Sequence, residues 1–174
     1  MSITIVGGSP GCGKTSLSKY LANSDPQGVH LESDCFFRFL AHRLDPSLRE
    51  ARTQNETVIR SYLAAAQVYS EDGYSVYVDG VIGPWVLPEI SMRLQSFDYL
   101  LVHAPLAITL ERISSRPGQP SARPGSAARM HEQFSAVLKQ YASHVVYTND
   151  LEVAEVAEVF YEKQRAGVLS VVAQ

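Results

Sequence analysis

The chain has 174 residues, 45% of them hydrophobic, the size and apolar content of one ordinary domain with a full core. With 19% charged residues and no low-complexity run, a disordered or collagen-like polymer is excluded, and no apolar stretch approaches the roughly 20 residues that span a bilayer. Fifteen basic against 18 acidic residues leave a net charge of −3, so no global positive field is available to hold nucleic acid, and neither nucleic acid nor membrane is expected as a partner.

A single domain over 1–174 is therefore expected. The N-terminus has no basic flank ahead of a signal-type apolar segment, which predicts a cytoplasmic protein. Cys12 and Cys35 have no CxxC partner and no histidine at ligand spacing, so free thiols in a reducing compartment are expected and a zinc site is not.

No internal repeat is present, and the chain reads as one alternating series of elements. Residues 2–6 (SITIV) are short, β-branched and followed by glycines, which predicts a buried first strand. A helix is predicted from Lys14 to about Asn23, with Leu17, Tyr20 and Leu21 on one face, and a second strand over 29–32. Helices over 36–44 and 47–69 follow, broken at Asp45-Pro46 because proline disfavours a helical residue before it. In the second of these, Val58, Tyr62, Ala65, Ala66 and Tyr69 recur at helical spacing. Strands are predicted over 75–79, 99–103 and 144–148 with helices between them, and a last helix over 151–164 capped by Asn149 or Asp150. His103 and His144 read as structural residues at strand ends, and the apolar tail from Gly167 carries no readable signal. Apolar strands alternating with amphipathic helices indicate an α/β fold, a parallel sheet covered on both faces.

Gly8, Ser9, Pro10, Gly11, Cys12, Gly13, Lys14 and Thr15 match GxxxxGK(S/T) in full, between a predicted strand and a predicted helix. Glycines let successive backbone N–H groups turn inward to form an anion cradle. The helix that follows brings its positive end to the same point. Lys14 is expected to reach the β- and γ-phosphates of a nucleotide, the Thr15 hydroxyl to hold magnesium, and Ser16 to lie beside the bound phosphates.

These residues make the chain resemble the P-loop kinases of small molecules, most closely the chloramphenicol phosphotransferase-like proteins and related small AAA-family ATPases, with adenylate and gluconate kinases as more distant relatives. The resemblance implies a three-layer α/β/α P-loop NTPase fold with a five-stranded parallel sheet in the order 2-3-1-4-5. It also implies transfer of the ATP γ-phosphate to a hydroxyl or phosphate acceptor, and a lid after the fourth strand.

Ligands of open α/β sheets bind at the carboxyl ends of the strands, where Asp34 follows the second strand and Asp79 ends the third. A kinase needs a carboxylate to orient the acceptor hydroxyl and take its proton, and a magnesium site often uses an acid at a strand end. Asp34 matches the base position of the resembling kinases, with Glu32 a weaker competitor, and a helix N-cap at Cys35 is its alternative role. Asp79 matches the Walker B acid, holding magnesium directly or through water, though in some of the resembling kinases it contacts the acceptor; an Asp-Gly turn is its alternative role. The run after it, Gly80-Val81-Ile82-Gly83-Pro84-Trp85, lacks the arginine of adenylate kinases and the triple glycine of shikimate kinases. Trp85, Phe36, Phe37, Phe39 and Tyr62 line an acceptor pocket or belong to the core, with Arg38 or Arg43 supplying charge in the first case.

Residues 112–129 carry four arginines and no acid in a chain of negative net charge. Arg112 and Arg116 are four apart, on one face of a helix. Arg123 follows in a Pro/Gly/Ser-rich stretch, and the resemblance makes about 116–126 a lid whose Arg116 and Arg123 meet the transferred phosphate while Arg112 contacts the nucleotide. A solvated basic loop is the alternative. Thr148-Asn149-Asp150 either reads adenine or only caps the last helix. Together these residues predict an ATP- and magnesium-dependent phosphotransferase acting on an unidentified small molecule, or alternatively an ATP hydrolase or an ATP-dependent regulatory module. Oligomeric state is not legible.

Overall fold

The computed structural model describes residues 2–115 and 124–173. The first half runs β1 (Ser2–Gly7), α1 (Lys14–Ser24), β2 (Gly28–Glu32), α2 (Ser33–Arg38), a 3₁₀ turn (Arg49–Ala51) leading into α3 (Arg52–Glu71), and β3 (Ser75–Gly80). A second 3₁₀ turn (Pro84–Val86), α4 (Leu87–Ser91), β4 (Ser96–His103) and α5 (Leu106–Ser114) follow. After them come α6 (Pro124–Val137), a 3₁₀ turn (Ala142–His144), β5 (Val145–Tyr147), α7 (Val153–Arg165) and β6 (Ser170–Val172).

The sheet order is β2-β3-β1-β4-β5, all parallel, with β6 antiparallel to β4. The expected order holds, but a sixth strand is added. Its cause lies in strand length. β4 has eight residues, whereas β5 pairs only with Leu101, Val102 and His103. The unpaired backbone at the start of β4 is taken by β6, through the pairs Ser96↔Val172, Phe97↔Val171 and Asp98↔Ser170. The apolar tail is thus structural: Leu169 is buried, and its carbonyl accepts from Tyr99 N at 2.9 Å.

Side chains of the sheet alternate between two cores. Ile5, Val76, Val78, Tyr99 and Leu101 pack under Val58, Tyr62, Leu63 and Ala66 of α3, Ile90 of α4 and Phe134 of α6. Val6, Tyr77, Leu100 and Val102 pack under Leu17 and Leu21 of α1 and Val156, Ala157 and Phe160 of α7. Three layers result, because strands apolar on both faces require helices on both. Among the described residues no helix is long and apolar enough to cross a membrane.

Helix ends depart from expectation in three places. The helix expected over 36–44 is α2, which ends at Arg38. The helix expected from 47 begins at Arg52, because residues of α3 take up the backbone ahead of it. Leu44 N donates to Gln54 Oε1 at 2.8 Å, and Asn55 Nδ2 donates to Pro46 O at 2.9 Å. The last helix is capped neither by Asn149 nor by Asp150 but by Glu152, in a capping box with Glu155.

If the tail is structural, Leu169→Ala should lower stability by about 2–5 kcal/mol in urea unfolding, as large-to-small core changes do. Val172→Ala, on a residue 67% exposed, should stay within about 0.5 kcal/mol of the parent. Equal, small effects would remove the tail from the core.

Candidate functional site

β1 ends at Gly7, and the chain turns through the glycine loop into α1. Gly13 is the N-cap of α1 at φ 99°, and no side chain caps the helix, so its first N–H groups stay open toward the loop. Gly11 stands at φ 80°, where a Cβ would lie 2.4 Å from Thr109 O. Here only glycine fits. Lys14 is buried, and its ammonium lies over the loop, donating to Ser9 O at 3.4 Å. Ser9 is buried, Pro10 half-buried and Ser16 exposed at the rim. Cys12 offers the loop only its backbone: its thiol is in the core with a pKa raised by burial, and neither cysteine is bridged.

Parallel pairing brings the acids to this loop. Asp79 is registered with Val6 on one side and with Glu32 on the other. It is 1% exposed, and both of its oxygens are engaged. Thr15 Oγ1 donates to Oδ2 at 2.5 Å, and His30 Nε2 lies 2.6 Å from Oδ1. Asp79 therefore closes onto α1 rather than into an Asp-Gly turn. Asp34 lies in the first turn of α2, whose N-cap is Glu32, so the expectation of Asp34 as a cap is corrected. Burial chiefly, with the carboxylates of Asp79 and Glu32 in support, pushes Asp34 above the ordinary carboxylate range, while Lys14 and Arg38 pull it down.

The oxygen donors Thr15 and Asp79 suit a hard divalent cation such as magnesium. Among the described residues no three acid, histidine or cysteine side chains could hold a metal by themselves. An ion here would need water or phosphate oxygens, the habit of magnesium at nucleotide sites.

On the other side of the loop a cleft of about 650 Å³ is lined by Gly13, Ser16, Arg112, Thr148, Asn149 and Glu152, among others. Arg112 of α5 donates to Thr148 Oγ1 at 3.0 Å and to Thr148 O at 2.7 Å, and Thr148 Oγ1 donates to Cys12 O at 2.6 Å. Arg112 is thus tied to the glycine loop through one threonine. Both Arg116, expected on one helix face with Arg112, and Arg123 fall outside the described residues, as does most of the expected lid at 116–126. Its last part, 124–126, is already the start of α6.

The aromatic residues divide. Tyr62 is core, with Phe36 against it at 6.1 Å between ring centres. Phe37 is partly buried against the same core. Phe39 is exposed, and Trp85, 50% exposed, rests on Phe134 at 5.0 Å. Arg38 and Arg43 are exposed, and Arg38 reaches Cys35 Sγ. His144 is structural as expected, its Nδ1 meeting Tyr99 O at 2.9 Å. His30 was invisible to motif reading. The available signal was a polar residue in step with Glu32, on the same face of β2 as Asp79 of β3.

No protein-family model matches the chain, and no curated protein matches it. Solved structures do match. The tunicamycin resistance protein of Deinococcus radiodurans superposes with a TM-score of 0.67 over 99% of this chain and 98% of its own, at 21% identity. A sugar kinase from Janibacter sp. HTCC2649 gives a TM-score of 0.65 over 95% of each chain at 18% identity. The shikimate kinase of Acinetobacter baumannii, solved with shikimate, gives 0.63 over 95% of this chain and 93% of its own at 17% identity. The chain has the three-layer fold of the P-loop small-molecule kinases.

A raised carboxyl has a consequence for stability. Asp34 holds its proton more tightly folded than unfolded, so its contribution is fully present below the unfolded value of about 3.9 and is lost as pH rises through the folded one. Asp34→Asn should match the parent in urea unfolding at low pH and become more stable than it at pH 8. A constant difference across that range would contradict the buried charge.

Proposed function

We propose that the protein is an ATP-dependent phosphotransferase that moves the γ-phosphoryl group to a hydroxyl of a small molecule. The observation that carries this reading is the meeting of three groups at the carboxyl end of the sheet. These are the uncapped glycine loop with Lys14, the Thr15–Asp79 pair at 2.5 Å, and a half-buried Asp34 close enough to feel the charges of Lys14 and Asp79. The shared fold with small-molecule kinases supports it.

In this reading the N–H groups of Gly11 to Thr15 and the positive end of α1 hold the β-phosphate, and Lys14 balances charge shared between the β- and γ-phosphates. Thr15 and Asp79 would hold magnesium, whose positive charge would offset that of the phosphates. The cleft between Arg112 and residues 148–153 takes the base. Arg112, fixed by Thr148, lies on that side. Arg116 and Arg123 are proposed to close on the γ-phosphate.

Asp34 orients the acceptor hydroxyl and takes its proton as the acceptor oxygen bonds to the γ-phosphorus and the bond from that phosphorus to the bridging oxygen breaks, releasing ADP. Around Asp34 stand charges of both signs, Lys14 and Arg38 against Asp79 and Glu32. The work is positioning and electrostatics rather than covalent catalysis.

A coupled ADP-release assay against a panel of hydroxyl-bearing and monophosphorylated metabolites tests this. One acceptor should stimulate turnover, and Asp34→Asn should lower the stimulated rate by about 10²-fold or more. The acidic limb of the rate profile should lie above the ordinary aspartate value, because the base must first lose a proton that burial holds. ATP consumption that no acceptor changes, equal in parent and Asp34→Asn, would point to a hydrolase or a switch instead.

A further inference from the structure

We propose that His30 is a positioning residue for the magnesium site: its Nε2–H, 2.6 Å from Asp79 Oδ1, holds the carboxylate so that Oδ2 stays on Thr15. This rests on the nucleotide and magnesium reading above. His30 lies within a strand, away from the glycine loop, yet β2 pairs with β3 so that His30 stands opposite Tyr77 and Glu32 opposite Asp79. Partners in a parallel ladder share a face, so His30 reaches Asp79 along the diagonal, beside Glu32.

A carboxylate only accepts hydrogen bonds, so the nitrogen facing it carries the proton. Asp79 is buried, and among the described residues its two carboxylate oxygens accept from Thr15 and from His30. The Thr15 hydroxyl would also offer its oxygen to a bound ion, which leaves His30 as the partner that serves the carboxylate alone.

The surrounding charge makes that partner necessary. Glu32 faces Asp79 across the strand pair, and Asp34 feels both acids. Like charges on one face repel, and without a donor the Asp79 carboxylate would rotate away from Glu32. An imidazole supplies that donor from a rigid ring. A lysine or arginine in its place would set a permanent charge beside the carboxylate and compete with the cation. Metal-binding groups are commonly oriented by such partners, and removal of one weakens metal affinity by about 10–100-fold.

The test is calorimetric binding of a non-hydrolysable ATP analogue to the full chain, once with magnesium and once with EDTA. His30→Ala should weaken the magnesium-dependent affinity by about tenfold or more and leave the EDTA affinity unchanged. His30→Gln, whose amide nitrogen stands as far from Cβ as Nε2 does, should return the magnesium affinity to within about threefold of the parent. Unchanged magnesium affinity in His30→Ala overturns the assignment. Equal loss with magnesium and with EDTA overturns it too, because it marks a merely structural histidine. A parent chain that binds the analogue no tighter with magnesium than without overturns the magnesium reading itself, and the assignment falls with it.

Discussion

The hydrogen bond from Thr15 Oγ1 to Asp79 Oδ2 ties the first turn of α1 to the end of β3, and the rest of the site depends on that tie. It joins two segments 64 residues apart in the chain, across the central strand. It forms because β1 and β3 are parallel and in register at Val6 and Asp79. A slip of one residue would turn Asp79 to the opposite face and leave the threonine without its partner. The apolar residues of β1 and β3 fix that register, since Ile5 and Val78 fill one core while Val6 and Tyr77 fill the other.

The same topology separates two kinds of chemistry. With β1 in the middle of β2-β3-β1-β4-β5, the chain leaves it first toward β2 and β3 and later toward β4 and β5. A crevice opens outside the carboxyl ends where such an order reverses. On the β3 side it gathers Asp79, Glu32, Asp34 and His30, and on the β4 side Arg112 and Thr148. Acids and the arginine thus lie on opposite flanks of one lysine. Burying Lys14 is tolerable only because charge of the other sign stands close by.

Much of this was legible in the sequence, for physical reasons that differ by residue. The glycine loop is eight contiguous residues whose chemistry is local, and Asp79 announces itself as the acid that ends a buried β-branched strand. The sheet order came from resemblance, since composition and spacing do not determine it. His30 stayed hidden because its role arises from strand pairing, which no local pattern records. The sixth strand stayed hidden because its three residues matter only where β5 leaves β4 unpaired. Helix ends were misread at α3 and α7, where Gln54, Asn55 and Glu155 bond back to the preceding chain. The aromatic residues carried two readings that only burial separated, placing Tyr62 in the core and Trp85 at the surface.

In the proposed function the loop from Gly8 to Thr15 seats a triphosphate between the acids of β2 and β3 and the arginine of α5. The most direct measurement is a crystal structure of the chain grown with magnesium and a non-hydrolysable ATP analogue. The phosphates should lie against the loop backbone, magnesium beside Thr15 and Asp79, and the base in the cleft bounded by Arg112 and Thr148. An analogue bound elsewhere, or a loop that closes on Lys14 and Ser9 with saturating nucleotide present, would contradict it.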